Sequence, residues 1–189
     1  MSQASIRPRT PDQILGPYFP VGCQPSRNGD LTSIKGRSGE AKGEIIELVG
    51  RVLNRAGKPM PAARLLIWQA NSFGRYTHPN DSHQAPLDPN FIGFAEICAD
   101  HDGGYRIRTV KPGAYPLESG EMRAPHIHFE VYGRFERLIT QMYFPGEPLN
   151  ACDRYLRVAT HPNLLLATSI SPTTGATCAF RFDVVLGRG

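Results

Sequence analysis

The run Arg123-Ala124-Pro125-His126-Ile127-His128-Phe129-Glu130-Val131-Tyr132 constrains the chain most. It is built of β-formers behind a proline, and alternate side chains of a strand point to opposite faces. His126 and His128 therefore share one face, and Ile127 and Phe129 share the other. Two imidazoles side by side on a rigid strand are half of a metal site.

The rest of the chain supports a strand-rich fold. Glycine (19) and proline (17) are frequent but scattered between apolar runs, as in many short strands joined by turns. Residues 1–13 read as a polar arm. The aromatic stretch Leu15-Gly16-Pro17-Tyr18-Phe19-Pro20 packs over the body, and residues 24–43 form a loop. Glu44 to Leu53 and Ala62 to Ala70 read as strands of a hairpin-like unit around Asn54-Arg55-Ala56-Gly57-Lys58-Pro59. A long polar loop spans 71–90, and loops of that length in compact domains are usually functional. Strands follow at 91–99, 105–110, 126–132, 138–144 and 179–186, and Leu164 to Ser169 fits helix or strand equally. The expectation is an all-β chain, an antiparallel β-sandwich with long active-site loops and little helix. A chain of 189 residues suits a single domain over 1–189, with an N-terminal arm and loop (1–43) packed on a sandwich core (44–186).

Composition narrows the function classes. The net charge of +4 is modest and the basic residues are dispersed, so no nucleic-acid partner is expected. No apolar run reaches membrane-spanning length, and Met1 to Pro8 has no apolar signal core. The expected location is the cytoplasm, with no membrane partner. Cys23, Cys98, Cys152 and Cys178 lie far apart without a C-x-x-C pair and read as buried or partly buried thiols. His78, His83, His101 and His161 read as surface or loop residues, with His78 close enough in sequence to Tyr76 to border its site.

No H-x-D or H-x-E supplies the carboxylate of a ferrous facial triad. Glu130 shares the histidine face, but three ligands in line on one strand suit a single ion poorly. Tyrosines stand out instead. Tyr115 lies in a proline–glycine turn eleven residues before His126, and Tyr76 lies 39 residues before Tyr115. A hard trivalent cation strips a phenol of its proton and favours the oxygen left behind. Two phenolates with two imidazoles suit ferric iron and are not typical of zinc.

Gly74-Arg75-Tyr76, Pro112-Gly113-Ala114-Tyr115-Pro116 and Arg123-Ala124-Pro125-His126-Ile127-His128-Phe129 together resemble the intradiol ring-cleavage dioxygenases, most closely their protocatechuate-cleaving β-chain branch. Ile67-Trp68-Gln69-Ala70-Asn71, Ala85-Pro86-Leu87-Asp88-Pro89-Asn90-Phe91, Leu138-Ile139-Thr140-Gln141-Met142-Tyr143-Phe144 and Phe180-Arg181-Phe182-Asp183-Val184-Val185-Leu186 extend the likeness over roughly 45–186. The resemblance implies a prealbumin-like sandwich and an enzyme of aromatic catabolism. Such an enzyme cleaves a catechol, protocatechuate or a related one, with O2 to a cis,cis-muconate-type diacid. It implies Fe(3+) held by Tyr76, Tyr115, His126 and His128, with Tyr115 and His128 axial and Tyr115 the ligand that leaves when substrate chelates. Arg123 is implied as a cation near the ring and Gln141 as its neighbour; Trp68, Tyr18 and Arg123 are implied as substrate contacts.

The chain departs from that branch between Tyr115 and His126. Leu117-Glu118-Ser119-Gly120-Glu121 is short and lacks the aromatic that commonly follows the Tyr-Pro. The sequence also shows no N-terminal helical linker of the kind typical of catechol 1,2-dioxygenases, which argues against that branch. The family further implies an oligomer, of like or related chains. Two other readings compete. Gly50-Arg51-Val52 through Pro61-Ala62-Ala63 also resembles the opening of non-enzymatic prealbumin-like binding modules, and cupins carry H-x-H on a strand. Such modules have no reason to carry the four-residue set, and the further glutamate and histidine that a cupin needs at characteristic spacing are not found.

Overall fold

The computed structural model describes residues 6–173 and 175–188. Among these residues are eleven strands: β1 (Ile45–Asn54), β2 (Arg64–Trp68), β3 (Phe94–Cys98), β4 (Gly104–Val110), β5 (Tyr115–Pro116), β6 (Met122–Arg123), β7 (His126–Tyr132), β8 (Arg137–Tyr143), β9 (Thr168–Ile170), β10 (Cys178–Arg181) and β11 (Val184–Leu186). A single turn of α-helix, α1 (Arg154–Arg157), is flanked by two short 3-10 turns, Pro148–Ala151 and Pro162–Leu165. The open segment Leu164 to Ser169 thus begins in the second of these turns and ends in β9.

The strands form a β-sandwich. One sheet has the order β3-β2-β7-β8 and is antiparallel throughout. The other is centred on β1 and is mixed. β4 pairs antiparallel along one side of β1, while β10 and then β11 pair parallel with its successive halves. Ile46, Leu48 and Val52 of β1, Ile107 of β4 and Phe180 of β10 meet Leu65 and Ile67 of β2, Ile127, Phe129 and Val131 of β7 and Leu138 and Met142 of β8 in one continuous core. Ile127 and Phe129 therefore do face away from the histidines, into the sandwich.

The hairpin-like unit over 44–70 is not what forms. The turn after β1 does fold back, with the Asn54 N–H donating to Lys58 O and the Met60 N–H to Val52 O. But Pro59 and Pro61 have no N–H for a ladder, and Ala62 takes a positive φ of 58°. The chain is thereby redirected into the opposite sheet, so β1 and β2 are partners across the core and not along a ladder.

The described part of the arm, from Ile6, is stitched down. Thr10 and Val185 exchange hydrogen bonds, the Gln13 N–H donates to Ile139 O, and Thr140 Oγ1 donates to Pro11 O. Arg9 pairs with Glu136 at 2.5 Å. These contacts cross β11 and the outer edge of β8, covering strand edges that would otherwise expose unpaired backbone groups. Cys178 is half-buried as expected, whereas Cys23, Cys98 and Cys152 are exposed, and all four are free. Cys23, Cys98 and Cys152 sit at loop and strand ends outside the apolar core, and Cys178 packs against it.

Gly50 lies where the β1 partner changes from β10 to β11. Tyr105 Oη donates to Phe182 O at 2.5 Å across this point. A Cβ on residue 50 would lie 1.9 Å from Phe182 O and 2.7 Å from the Tyr105 ring. Gly50→Ala is expected to destabilise the fold by roughly 3 kcal/mol, the upper range for overpacking a filled interior. Urea denaturation followed by tryptophan fluorescence checks it.

Candidate metal centre

β7 presents His126 and His128 on the outer face of the four-stranded sheet, away from the sandwich core. That face is buried as well, under the loops and the N-terminal segment. Trp68, opposite His128 in the β2–β7 ladder, stacks on its ring with centroids 4.8 Å apart and planes 14° apart. Tyr143, opposite His126 on β8, stacks on that ring at 5.7 Å. Each imidazole is thus held flat by an aromatic from the neighbouring strand.

Two loops bring the phenols. Asn71 Oδ1 accepts from the Phe73 and Arg75 N–H groups, and the Gly113 N–H donates to Asn71 O. Gly74, at φ +79°, approaches so closely that a Cβ would lie 2.2 Å from Ala114 O. This contact fastens the Tyr76 loop to the Tyr115 segment. Asp81, buried, accepts from the Tyr76 N–H at 2.7 Å and completes the loop. Tyr115 opens the tight hairpin β5–β6, in which it pairs directly with Arg123. Leu117 to Glu121 is the hairpin's turn, which explains the short spacing to His126. Leu117, Glu118 and Ser119 line a cleft of about 820 Å³ shared with Pro17, Tyr18 and Arg154.

The four expected donors cluster. His126 Nε2 lies 3.2 Å from His128 Nε2 and 3.4 Å from Tyr115 Oη. The Tyr76 ring stands edge-on to Tyr115 at 5.6 Å and lies 6.3 Å from the His128 ring. His126 Nδ1 lies 2.7 Å from Ala124 O, so it carries the proton and Nε2 keeps a free lone pair. Tyr76 Oη is buried and feels the Tyr115 phenol, yet has no hydrogen-bond partner among the described residues. Burial pushes both histidines well below their ordinary range, and the positive Arg123 pushes further, so both rings are neutral. Burial pushes the Tyr115 phenol up to about 12, against the pull of Arg123. Burial raises Tyr76 well above the ordinary phenol range.

Such a set fits a metal. Donors about 2.1 Å from one ion lie ~3 Å from their neighbours, close to the spacing of these nitrogens. Neutral imidazoles and an orphaned buried phenol are what such an ion would complete. Among the described residues no cluster of three or more His, Cys, Asp or Glu side chains could hold a metal ion. Glu130 is engaged elsewhere, with Tyr132 Oη and Arg137.

Residues 14–188 match a family model described as Dioxygenase. The chain is 44% identical over 189 residues to the protocatechuate 3,4-dioxygenase beta chain of Burkholderia cepacia, covering 96% of this chain and 80% of that one. The chain belongs to the intradiol ring-cleavage dioxygenase family. The alpha chain from the same organism is 32% identical over 186 residues, covering 93% of this chain and 91% of its own. The dioxygenase domain of a dioxygenase carbohydrate-binding protein fusion from Streptomyces sp. SirexAA-E superposes with a TM-score of 0.73 at 30% identity, over 96% of this chain and all of that one. This intradiol dioxygenase is therefore an enzyme, and the non-enzymatic module reading is set aside. No helix among its described residues is long and apolar enough to cross a membrane.

The remaining expected residues of the dioxygenase lie around the cluster. Arg123 donates through Nη2 to Gln141 Oε1 at 2.7 Å, and Gln141 Nε2 donates to Ile14 O. Tyr18 packs on Tyr76 at 4.7 Å and meets Tyr115 at 6.5 Å. Trp68 is almost fully buried behind His128. It shares with Tyr18, Tyr76 and His78 the wall of a cavity of about 300 Å³. His78 thus does border the cluster, while His101 and His161 are exposed. Sequence reasoning missed Asp81, Tyr143 and Asp153. The only signal for Asp81 was its place in a long loop beside Tyr76, and Tyr143 and Asp153 read as ordinary strand and loop residues.

Gly16 packs on His128. Its φ is +77°, and a Cβ there would lie 3.2 Å from His128 Cε1. Gly16→Ala is expected to cost about 1–2 kcal/mol from the left-handed backbone alone, and to displace the His128 ring. A thermal melt together with iron-binding stoichiometry checks it.

Proposed function

We propose that this enzyme cleaves a catechol between its two hydroxyl-bearing carbons, using ferric iron held by Tyr76, Tyr115, His126 and His128, to give a cis,cis-muconate-type diacid. The observation that carries it is the convergence of two neutral imidazoles with two buried phenols, one of which has no hydrogen-bond partner among the described residues. Bound there, ferric iron would supply a Lewis-acidic centre that takes up the diol and makes its ring reactive toward O2.

The chain's own groups then have defined tasks. Tyr115, adjoining Pro116 and Leu117 of the cleft wall, is by the family resemblance the phenol that would give way to a substrate hydroxyl and take its proton at Oη. Tyr76 is fixed by Asp81 and the Gly74 contact and stays in place. Arg123, almost fully buried beside Tyr115, sets a permanent positive charge where the ring oxygens gain electron density. Gln141 and Tyr143 hold its Nη2. Tyr18 and Pro17 wall the cleft and keep water from the reacting face.

Protocatechuate is the substrate named for both chains of the relative quoted above, and we take it or a near catechol as the substrate here. Alpha and beta chains both match, which supports assembly with a like or related chain. The family match over 14–188 supports one domain running through the arm and both sheets. Free thiols suit the reducing cytoplasm.

The iron-loaded protein is expected to be coloured by phenolate-to-iron charge transfer. Tyr76→Phe and Tyr115→Phe are each expected to shift or weaken that band, and stripping the iron with a chelator to abolish it. A colourless loaded protein would rule out phenolate ligation. Arg123→Leu is expected to lower kcat by roughly 10²–10³-fold, as for loss of a preorganised charge-stabilising group. Oxygen uptake over a panel of protocatechuate, catechol and hydroxyquinol, with mass analysis of the product, checks both rate and position. Products of cleavage outside the diol would overturn the reading.

A further inference from the structure

Arg123 is held from one side by a carboxylate that lies outside every motif quoted above. Asp153 is fully buried and accepts five hydrogen bonds. Oδ2 takes Arg123 Nε at 2.8 Å and the Ala124 N–H at 3.0 Å. Oδ1 takes the Tyr155 and Leu156 N–H groups of α1 at 3.0 and 3.1 Å, and faces Tyr143 Oη at 3.2 Å. The two oxygens divide their work, one capping α1 and the other gripping the Arg123–Ala124 segment. Ala124 continues the chain of contacts, because its carbonyl accepts from His126 Nδ1. The Tyr155 ring covers the guanidinium, with Arg123 Cζ 4.4 Å from its centroid.

A buried arginine has a planar fork whose direction depends on its acceptors. Here Nε is committed to Asp153 and Nη2 to Gln141 and Tyr143. Two acceptors on adjacent sides define the plane completely. Asp153 also supplies the counter-charge without which a buried guanidinium is costly.

We propose that Asp153 is the positioning residue of this active site: through Oδ2 it fixes the plane of the Arg123 guanidinium and the peptide that orients His126. It touches neither substrate nor metal donors and works only through its neighbours. The inference rests on the charge-stabilising role given to Arg123 above.

Asp153→Ser separates the two tasks, since serine still caps α1 but has no second oxygen to reach Arg123. The test is a double-mutant cycle of Asp153→Ser and Arg123→Leu in the iron-loaded protein at matched iron content, read by oxygen uptake and by thermal melting. Asp153→Ser is expected to lower kcat by about 10²-fold, the scale of a misplaced reacting group, with KM within about threefold. The double variant is expected to be no slower than Arg123→Leu alone. In melting, the double variant is expected to lose less Tm than the sum of the single variants, because each single change strands the other's charge. Wild-type kcat in Asp153→Ser, or losses that multiply in the double variant, would overturn the inference alone. Wild-type kcat in Arg123→Leu would instead bring down the role of Arg123, and the catalytic part of this inference with it. If Asp153→Ser does not fold, Asp153→Asn carries the same cycle, since its amide opposes a donor to either Arg123 Nε or α1.

Discussion

Strand β7 is buried on both faces, and the rest of the structure answers to that. One face, Ile127, Phe129 and Val131, closes the sandwich core. The other, His126 and His128, carries polar groups that could have faced water as in many two-sheet folds. Covering it takes the N-terminal segment, the loop from Asn71 to Asn90 and the β5–β6 hairpin. The candidate site is thus on the outside of the sandwich, under a roof made of loops, with the packed core as its floor.

Excluding water from that face has an electrostatic consequence. Burial keeps the histidines neutral and the phenols protonated until something replaces their protons. A fixed arginine charge within the same layer would be prohibitive unless paired. The Arg123–Asp153 pair, with Gln141 and Tyr143 completing its hydrogen bonds, meets that requirement. Neutral imidazoles and a paired cation are compatible in one dry site because the charged Arg123 and Asp153 are both hydrogen-bonded.

Much of this was legible in the residues. The two-residue alternation over 126–132 determined which side chains meet the core and which meet each other, and the dispersed strand pattern determined the sandwich. Tyr76 and Tyr115 were legible as candidates because hard-cation chemistry demands anionic oxygen and the H-x-H strand offered no third ligand of its own, and the fold brings both rings beside the histidines. Other features were not. The parallel pairing of β10 and β11 with β1 depends on which edges remain free after the chain has crossed between sheets, and no local pattern records that. Cys23, Cys98 and Cys152 were expected inside and lie outside, since a small thiol carries little information about burial.

By itself the sequence determined a strand with two histidines on one face, the phenols able to join them, and the arginine three residues upstream, because periodicity and side-chain chemistry act over short distances. Only the tertiary structure decided what holds them. Asp81 reaches back five residues to a tyrosine N–H, Gly16 makes room for His128 across the whole chain, and Asp153 meets Arg123 from 30 residues downstream. Such contacts are between groups of ordinary type at arbitrary separations, and their meaning exists only when the folded chain removes the water that would otherwise satisfy them.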